Sequence, residues 1–176
     1  MNKCGFWLIF LVLIGSYGLC HAETLDDDSI RKIYADAKAT IRDPVKARDM
    51  METRLDDNFT LRSNMTRTAG KAPSQTAVET KSKKQAIESQ MSGMQEMKID
   101  NYENIIVSIQ YSADKAYAYV SDTSSSSGTV NLPAQQGQNG QVRYTAKETC
   151  ADTLTLVGGL IKITQSDCDD QIVIGK

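Results

Sequence analysis

Apolar residues recur at helical spacing through the first part of the chain that follows residue 22. This recurrence predicts a first helix over residues 27–42. Asp43 is a capping residue and Pro44 suits a first helical position, so we expect a second helix over residues 44–57. Ser82 opens a capping-box pattern and predicts the start of a third helix. The apolar positions of the three helices are Ile30, Ile33, Tyr34, Ala37, Ile41, Val45, Ala47, Met51, Leu55, Ile87, Met91 and Met94.

The rest of the chain has the alternating pattern of strands. A first strand is expected over residues 59–66, and residues 68–80 predict a polar loop because they contain Gly and Pro. After Lys98 the apolar positions alternate with period two, which predicts sheet. Residues 123–140 hold a serine run followed by Gln, Gly and Asn, and this composition predicts a long loop between two strands.

The last predicted hairpin is the best-specified element. Gly158-Gly159 is a two-residue turn signal that pairs Leu156 with Ile161. The same register places Cys150 opposite the residue that precedes Cys168. A disulfide between the two cysteines therefore requires a β-bulge or a three-residue turn.

The N-terminus has the pattern of a secretory signal peptide. A basic start is followed by an apolar run over residues 5–15, which is shorter than the roughly twenty residues that span a bilayer. Small residues end at Ala22, so we predict a signal peptide over residues 1–22 and a single domain over residues 23–176. An uncleaved N-terminal anchor is the alternative.

Cleavage after residue 22 changes the chemistry that is available. The mature chain would have 154 residues (176 minus 22) and, without Lys3, a net charge of −3 instead of −2. It would also lose His21, the one histidine, which excludes Ser-His-Asp, Cys-His and histidine-metal sites. The near balance of charges argues against nucleic-acid binding. Cys150 and Cys168 would remain, and an even pair in an exported chain predicts a disulfide.

Three local motifs, together with the order of the elements, resemble the nuclear transport factor 2-like superfamily, which includes SnoaL-like cyclases and ketosteroid isomerases. The motifs are Leu55-Asp56-Asp57-Asn58-Phe59-Thr60, Ser82-Lys83-Lys84-Gln85-Ala86-Ile87 and Gly158-Gly159-Leu160-Ile161-Lys162-Ile163. The resemblance covers about residues 30–176. It implies a cystatin-like, cone-shaped α+β fold, in which three N-terminal helices pack on a curved, mostly antiparallel sheet.

The resemblance also implies a pocket between sheet and helices. The carboxylate base of the isomerases would fall near Ser63 or Arg62, and neither is an acid. We therefore predict no catalytic residues. The weak alternative is Asp56 or Asp57 as a base with Tyr34 as a hydrogen-bond donor, since Tyr34 matches a helix-one tyrosine of the family.

Tyrosines are the best candidates for the pocket lining, because they combine apolar walls with hydroxyl groups. The predicted pocket-lining residues are Tyr34, Tyr111, Tyr117, Tyr119 and Tyr144. The acids that flank Cys168, including Asp170, lack the pattern of a calcium loop and are interpreted as a solvated strand end. No metal and no cofactor are predicted.

The resulting functional hypothesis is an exported, non-enzymatic module of the cell envelope, periplasmic or secreted. It would bind a small apolar ligand or a protein partner, and it could form a homodimer through the open face of the sheet. No nucleic-acid partner is expected, and no membrane span after signal cleavage. The alternative is a lyase or isomerase with an Asp base.

Overall fold

The computed structural model describes residues 22–70, 72–132 and 140–175. The helices are α1 (Asp27–Thr40), α2 (Pro44–Arg54) and α3 (Lys83–Glu96). The strands are β1 (Leu55–Ala69), β2 (Gln75–Ser82), β3 (Met97–Tyr111), β4 (Tyr117–Leu132), β5 (Gly140–Val157) and β6 (Leu160–Ile174). The strands form one sheet in the order β2-β1-β6-β5-β4-β3. Only β1 and β6 pair in parallel among these strands, so the predicted α+β fold with a mostly antiparallel sheet is confirmed.

The core under α1 follows the predicted apolar stripe of that helix. Ile30 and Ile33 are buried and pack against Val120, Leu154 and Ile161 of the sheet. Truncating one of these side chains to Ala would cost about 2–5 kcal/mol. The face of the sheet that α1 covers is called the inner face below.

The second helix ends earlier than predicted, at Arg54 and not near residue 57. Leu55 adopts an extended backbone (φ −79°, ψ 134°) and its side chain is buried with Phe59 and Ile87. Because burial of Leu55 starts the strand there, Asp56 and Asp57 belong to β1.

Two segments that the composition predicts as loops are partly strands. Residues 75–82 form β2, an edge strand that pairs antiparallel with β1. Residues 75–80 are exposed, so β2 depends on ladder hydrogen bonds and has no alternating pattern to reveal it.

The serine run continues β4 as far as Leu132. Ser124 is buried and its hydroxyl has a partner inside the fold, the carboxyl of Glu148. At Gly128 a Cβ atom would lie 1.9 Å from the carbonyl oxygen of Lys98, so the close approach of β3 requires glycine. The loop prediction is therefore wrong for residues 123–132, and residues 133–139 lie outside the described residues.

The C-terminal hairpin has the predicted turn and the predicted pairing of Leu156 with Ile161. Gly158 and Gly159 have φ values of +61° and +80°, which suit glycine. A register shift follows at Thr153, and below it Cys150 lies directly opposite Cys168. The two cysteines form a disulfide, so the prediction of a bridge that needs a bulge is confirmed.

The predicted signal peptide lies, up to its last residue, outside the described residues. Within the described part of the chain, no helix has the length and apolarity needed to cross a membrane.

Candidate functional site

Acidic side chains occupy the middle of the inner face of the sheet. Inner positions recur at every second residue of a strand. Under α1 these inner positions hold apolar residues such as Val120. Farther along β4, β5 and β6 they hold acids. We call Asp122, Glu148, Asp152 and Asp170 the acidic floor. Asp122 and Asp152 are 6% and 7% exposed, whereas the other two are half-buried.

A cavity of about 350 Å³ extends from one end of the acidic floor toward α3. Its volume lies in the range of small-molecule sites, about 300–1,000 Å³. Its polar lining includes Ser63, Ser124, Glu148 and Asp170, together with Tyr102 and Tyr144. Its apolar walls include Leu61, Met65, Met94, Met97, Ile99 and Ile172. The cavity therefore combines apolar walls with two carboxyl groups.

Glu148 and Asp170 are direct cross-strand neighbours on β5 and β6. The hydroxyl of Ser124 donates to Oε2 of Glu148 at 3.1 Å, and that of Ser63 donates to Oδ2 of Asp170. Burial, followed by the charge of Asp170, raises the pKa of Glu148 well above its usual range. Because two adjacent carboxylates repel, this pair favours holding one proton at neutral pH.

Asp152 and Asp122 lie beside the cavity, beneath α1. The hydroxyl of Tyr34 donates to Oδ2 of Asp152, and burial raises the pKa of both groups. Asn104 donates to Oδ1 of Asp122 at 2.6 Å. Burial, followed by the charge of Asp152, raises the pKa of Asp122 to about 6. These contacts anchor α1 and β3 to the acidic floor.

Two tyrosines add hydroxyl groups to the lining of the cavity. Tyr102 lies near Glu148, and burial together with that acid raises its pKa to about 12. Tyr144 is only 2% exposed, and its hydroxyl has no hydrogen-bond partner within the described residues. A buried polar atom without a partner costs about 1–3 kcal/mol, so Tyr144 offers a place for a ligand group.

The predicted pocket tyrosines lie in three different places. Tyr144 lines the cavity, and Tyr34, on the side of α1 that faces the sheet, lies next to it. The hydroxyl of Tyr111 donates to Asp27 at 2.6 Å, at the exposed start of α1. Tyr117 and Tyr119 are 44% and 47% exposed on the outer face, contrary to the prediction. Ala118 lies between them and Val120 follows them, and both face inward because they fit beneath α1.

Asp56 and Asp57 form their hydrogen bonds and ion pairs with residues outside the acidic floor. Asp57 is exposed and pairs with Lys83 at 3.0 Å, which lowers its pKa. Asp56 accepts a hydrogen bond from the backbone N–H of Asn58 at 2.9 Å. Neither acid lines the cavity or contacts Tyr34, so the structure does not bring together the residues of the weak catalytic alternative.

The acids that do line the interior were missed by the sequence reasoning. The sequence pattern predicts a solvated strand end at Asp170, yet this residue faces the cavity and accepts a hydrogen bond from Ser63. The available signal is the spacing of two residues from Asp122 to Ser124, from Glu148 to Cys150 and from Cys150 to Asp152. Polar residues at those positions of a central strand that face the inside of the fold indicate a cavity with a polar lining.

One set of potential metal ligands lies at this site. A carboxyl oxygen of Glu148 and the sulfurs of Cys150 and Cys168 lie within 4.8 Å of one another. The two sulfurs are joined in a disulfide, so they cannot act as thiolate ligands.

A second depression of about 660 Å³ is more open than the cavity. It is lined by Lys38, Arg42 and Lys147, among other exposed residues. Glu103, the acid in its lining, is exposed and forms no side-chain hydrogen bond or ion pair among the described residues. The buried polar groups instead converge on the smaller cavity.

No family model and no curated protein matches this sequence. Solved structures do match its fold. One is an NTF2-like protein from Cytophaga hutchinsonii, with 13% identity over 81% of this chain and 95% of that chain and a TM-score of 0.50. Another is a conserved protein from Planctomyces limnophilus, with 10% identity over 83% and 93% of the two chains and a TM-score of 0.51. The chain therefore has the NTF2-like fold that its motifs predicted; at these identities the likeness extends to the fold alone.

Proposed function

We propose that the chain is an exported, non-enzymatic binding module of the cell envelope, which holds a small and largely apolar ligand in the cavity. The observation that carries this proposal is the combination of methionine and isoleucine walls with a carboxyl pair at one end. Apolar walls with few convergent polar groups are typical of small-molecule sites. A small ligand is favoured over a protein partner because the carboxyl pair lines the cavity inside the fold and does not lie on the outer surface.

Export is supported by the covalent structure of the sheet. The disulfide between Cys150 and Cys168 joins two neighbouring central strands. Structural disulfides are rare in reducing compartments and common in exported proteins. The apolar N-terminal run with its small-residue end supports the same assignment.

The binding proposal is tested with N-phenyl-1-naphthylamine, an apolar dye whose fluorescence rises in apolar sites. The full chain is expressed with its leader and purified in oxidised form from the periplasm of a bacterial host. Ala146 lines the cavity, whereas Ala151 lies on the outer face of the same strand. We expect Ala146→Met to weaken dye binding by about ten-fold through lost volume, and Ala151→Met to leave it unchanged.

The matched pair separates the inner face, where Ala146 lines both the cavity and the adjoining open depression, from apolar patches elsewhere. Equal loss of binding in both variants, or no binding by the wild type, would contradict a ligand site in the cavity. N-terminal sequencing of the purified protein tests export in the same preparation: the expected first residue is Glu23.

A second candidate is a lyase or isomerase of the SnoaL-like kind, and one observation favours it. The raised pKa of Glu148 provides a carboxyl that can donate or accept a proton inside the cavity. The base would then be Glu148, since Asp56 and Asp57 do not line the cavity. The test is deuterium incorporation from D₂O into a bound ketone such as cyclohexenone, followed by mass spectrometry. Exchange that persists unchanged in Glu148→Gln would exclude this candidate.

A further inference from the structure

Among the described residues, no cation forms an ion pair with the two carboxyl groups at the end of the cavity. Glu148 and Asp170 take part in none of the ion pairs of the described residues. Lys81, which lies at the cavity, pairs with Glu79 at 2.8 Å and donates to Ser89 at 3.0 Å. The negative charge of the pair is therefore left for a proton or a ligand to neutralise.

The pair is arranged so that one small cationic group can reach both members. Directly opposed residues of antiparallel strands have Cβ atoms about 4.5–5.5 Å apart. Ser124 and Ser63 each donate to one oxygen of Glu148 and Asp170, respectively, and in the unliganded protein the two carboxyl groups also share a hydrogen bond. Loss of the shared proton frees one oxygen of each carboxyl group for a cation. An ammonium group has three donors and can bridge these two oxygens.

An independent observation lies at the other end of the cavity. The hydroxyl of Tyr144 is buried and makes no hydrogen bond of normal geometry within the described residues, although the hydroxyl of Ser126 lies near enough to oppose the rise of the Tyr144 pKa. Both residues line the cavity. Tyr144 and Glu148 are four positions apart on one strand, and both are on the inner face. Their Cα atoms are thus about 13 Å apart. A ligand that satisfies both ends needs a polar group at each end of an apolar body.

The apolar walls between the two ends make a hydrated metal ion a poor occupant of the cavity. Ca²⁺ takes about six to eight oxygen ligands and Mg²⁺ retains several waters. The walls instead present the side chains of Met65, Met94, Met97 and Ile172. Such walls favour an alkyl or aryl group, and methionine adapts well to varied apolar shapes.

We infer that the ligand is an organic amine: its ammonium group binds between Glu148 and Asp170, its alkyl or aryl body lies along the methionine walls, and a polar group at its far end bonds to the hydroxyl of Tyr144. This inference rests on the proposed function and specifies the chemical class of its ligand.

Amine binding should expel a proton. We expect the pair to hold one proton at neutral pH in the unliganded protein, because burial and the charge of Asp170 raise the pKa of Glu148. An ammonium group between the carboxyls favours two ionised groups, so the proton leaves to buffer. The other titratable groups around the pair are Asp122, Asp152, Tyr34, Tyr102, Tyr144, Lys81 and Lys147.

Four small molecules of nearly equal size test each part of the inference by titration calorimetry at pH 7. Tyramine has an ammonium group and a phenol, phenethylamine lacks the phenol, tyrosol replaces the ammonium group by a hydroxyl, and 4-hydroxyphenylacetate is an anion. We expect tyramine to bind about ten-fold or more tightly than tyrosol and the anion, because a charge-assisted hydrogen bond is lost. Titrations in two buffers of different ionisation enthalpy should show release of up to one proton per tyramine.

Matched variants locate the two ends of the ligand. Asp170→Asn should weaken tyramine binding by about ten-fold, whereas Asp169→Asn removes the same charge from an exposed neighbour and should have no effect. Tyr144→Phe should abolish the preference for tyramine over phenethylamine. It should also fold normally, since the hydroxyl that it removes has no partner to lose.

The outcomes separate the inference from the proposed function. If the dye binds in an Ala146-dependent manner but tyrosol equals tyramine, the cavity binds ligands and the amine assignment is wrong. Calcium or magnesium binding that Asp170→Asn removes, without amine binding, also overturns the amine assignment. If neither the dye nor any amine binds, both proposals fail. Tyramine binding that is equally weakened by Asp169→Asn is a surface charge effect and overturns the site.

Discussion

Replacing Asp122 by Asn should stabilise the protein at pH 8 and change its stability little at pH 4. Asp122 is buried, and its pKa is raised to about 6 by burial and by the charge of Asp152. The unfolded chain has the ordinary value of about 4, and each pKa unit corresponds to about 1.4 kcal/mol. Two units therefore give a penalty of about 3 kcal/mol for the ionised carboxyl in the folded protein.

The sign of the pH dependence follows from proton binding. Between pH 4 and pH 6 the folded protein keeps a proton on Asp122 that the unfolded chain has lost. The folded state thus binds more protons, and the free energy of unfolding falls as the pH rises through this window. Above about pH 6 both states are ionised and the loss is complete. Asn carries no such proton, so the difference between variant and wild type should grow from pH 4 to pH 6 and then level off.

The substitution keeps the contacts of the side chain. The amide oxygen of Asn can accept from Asn104 as Oδ1 of Asp122 does at 2.6 Å. The amide nitrogen replaces the second oxygen and provides a donor toward the charge of Asp152. Asp169→Asn is the control: this acid is exposed on the outer face, and its loss should change stability by less than about 0.5 kcal/mol.

Urea unfolding at pH 4, 5, 6, 7 and 8, followed by far-ultraviolet circular dichroism with the disulfide intact, measures the effect. We expect Asp122→Asn to exceed the wild type by up to about 3 kcal/mol at pH 8. A variant that is less stable than wild type by a constant amount at every pH would refute the reasoning. That result would mean that the ionised carboxylate already has a compensating partner.

Three further predictions test other parts of the fold. Reduction of the bond between Cys150 and Cys168 removes the loop that the disulfide closes in the unfolded chain. For their separation of 18 residues, reduction should lower the free energy of unfolding by about 3 kcal/mol, measured by urea unfolding with and without dithiothreitol. Gly128→Ala should lower the melting temperature measurably, because its Cβ would lie 1.9 Å from the carbonyl oxygen of Lys98; unchanged melting would contradict this close approach. If the exposed apolar residues of β3 and β4 form the predicted homodimer contact, Ile105→Lys should convert a dimer to a monomer in light scattering, and a wild-type monomer would exclude the dimer.

Elements with strong local signals could be predicted from the sequence. The capping box at Ser82, the cap and proline before α2 and the Gly158-Gly159 turn each specify a local conformation, and each element begins or turns where expected. The edge strand β2 and the far half of β4 could not be predicted in this way. Their residues are held by pairing with neighbouring strands and, at Ser124, by a partner 24 residues away.

The carboxyl pair could not be predicted because it depends on a single register shift. Continuous pairing from the Gly158-Gly159 turn would place Glu148 opposite Asp169, which faces outward. The bulge at Thr164 of β6, opposite the step from Thr153 to Leu154, shifts the register by one residue and brings Asp170 opposite Glu148 on the inner face. A sequence pattern with period two cannot locate such a shift, although the cysteine spacing required one.

The position of the disulfide explains how the fold tolerates its acidic floor. Cys150 lies between Glu148 and Asp152 on the inner face of β5, and its partner Cys168 precedes Asp170 on β6 by one inner position. Mutual repulsion of buried acids opposes pairing of these strands, whereas the covalent bond restricts the unfolded chain at the same point. An apolar floor would be more stable and would need no such compensation. Acids that destabilise the fold, but line a cavity beside a stabilising cross-link, are therefore better explained by ligand binding than by folding.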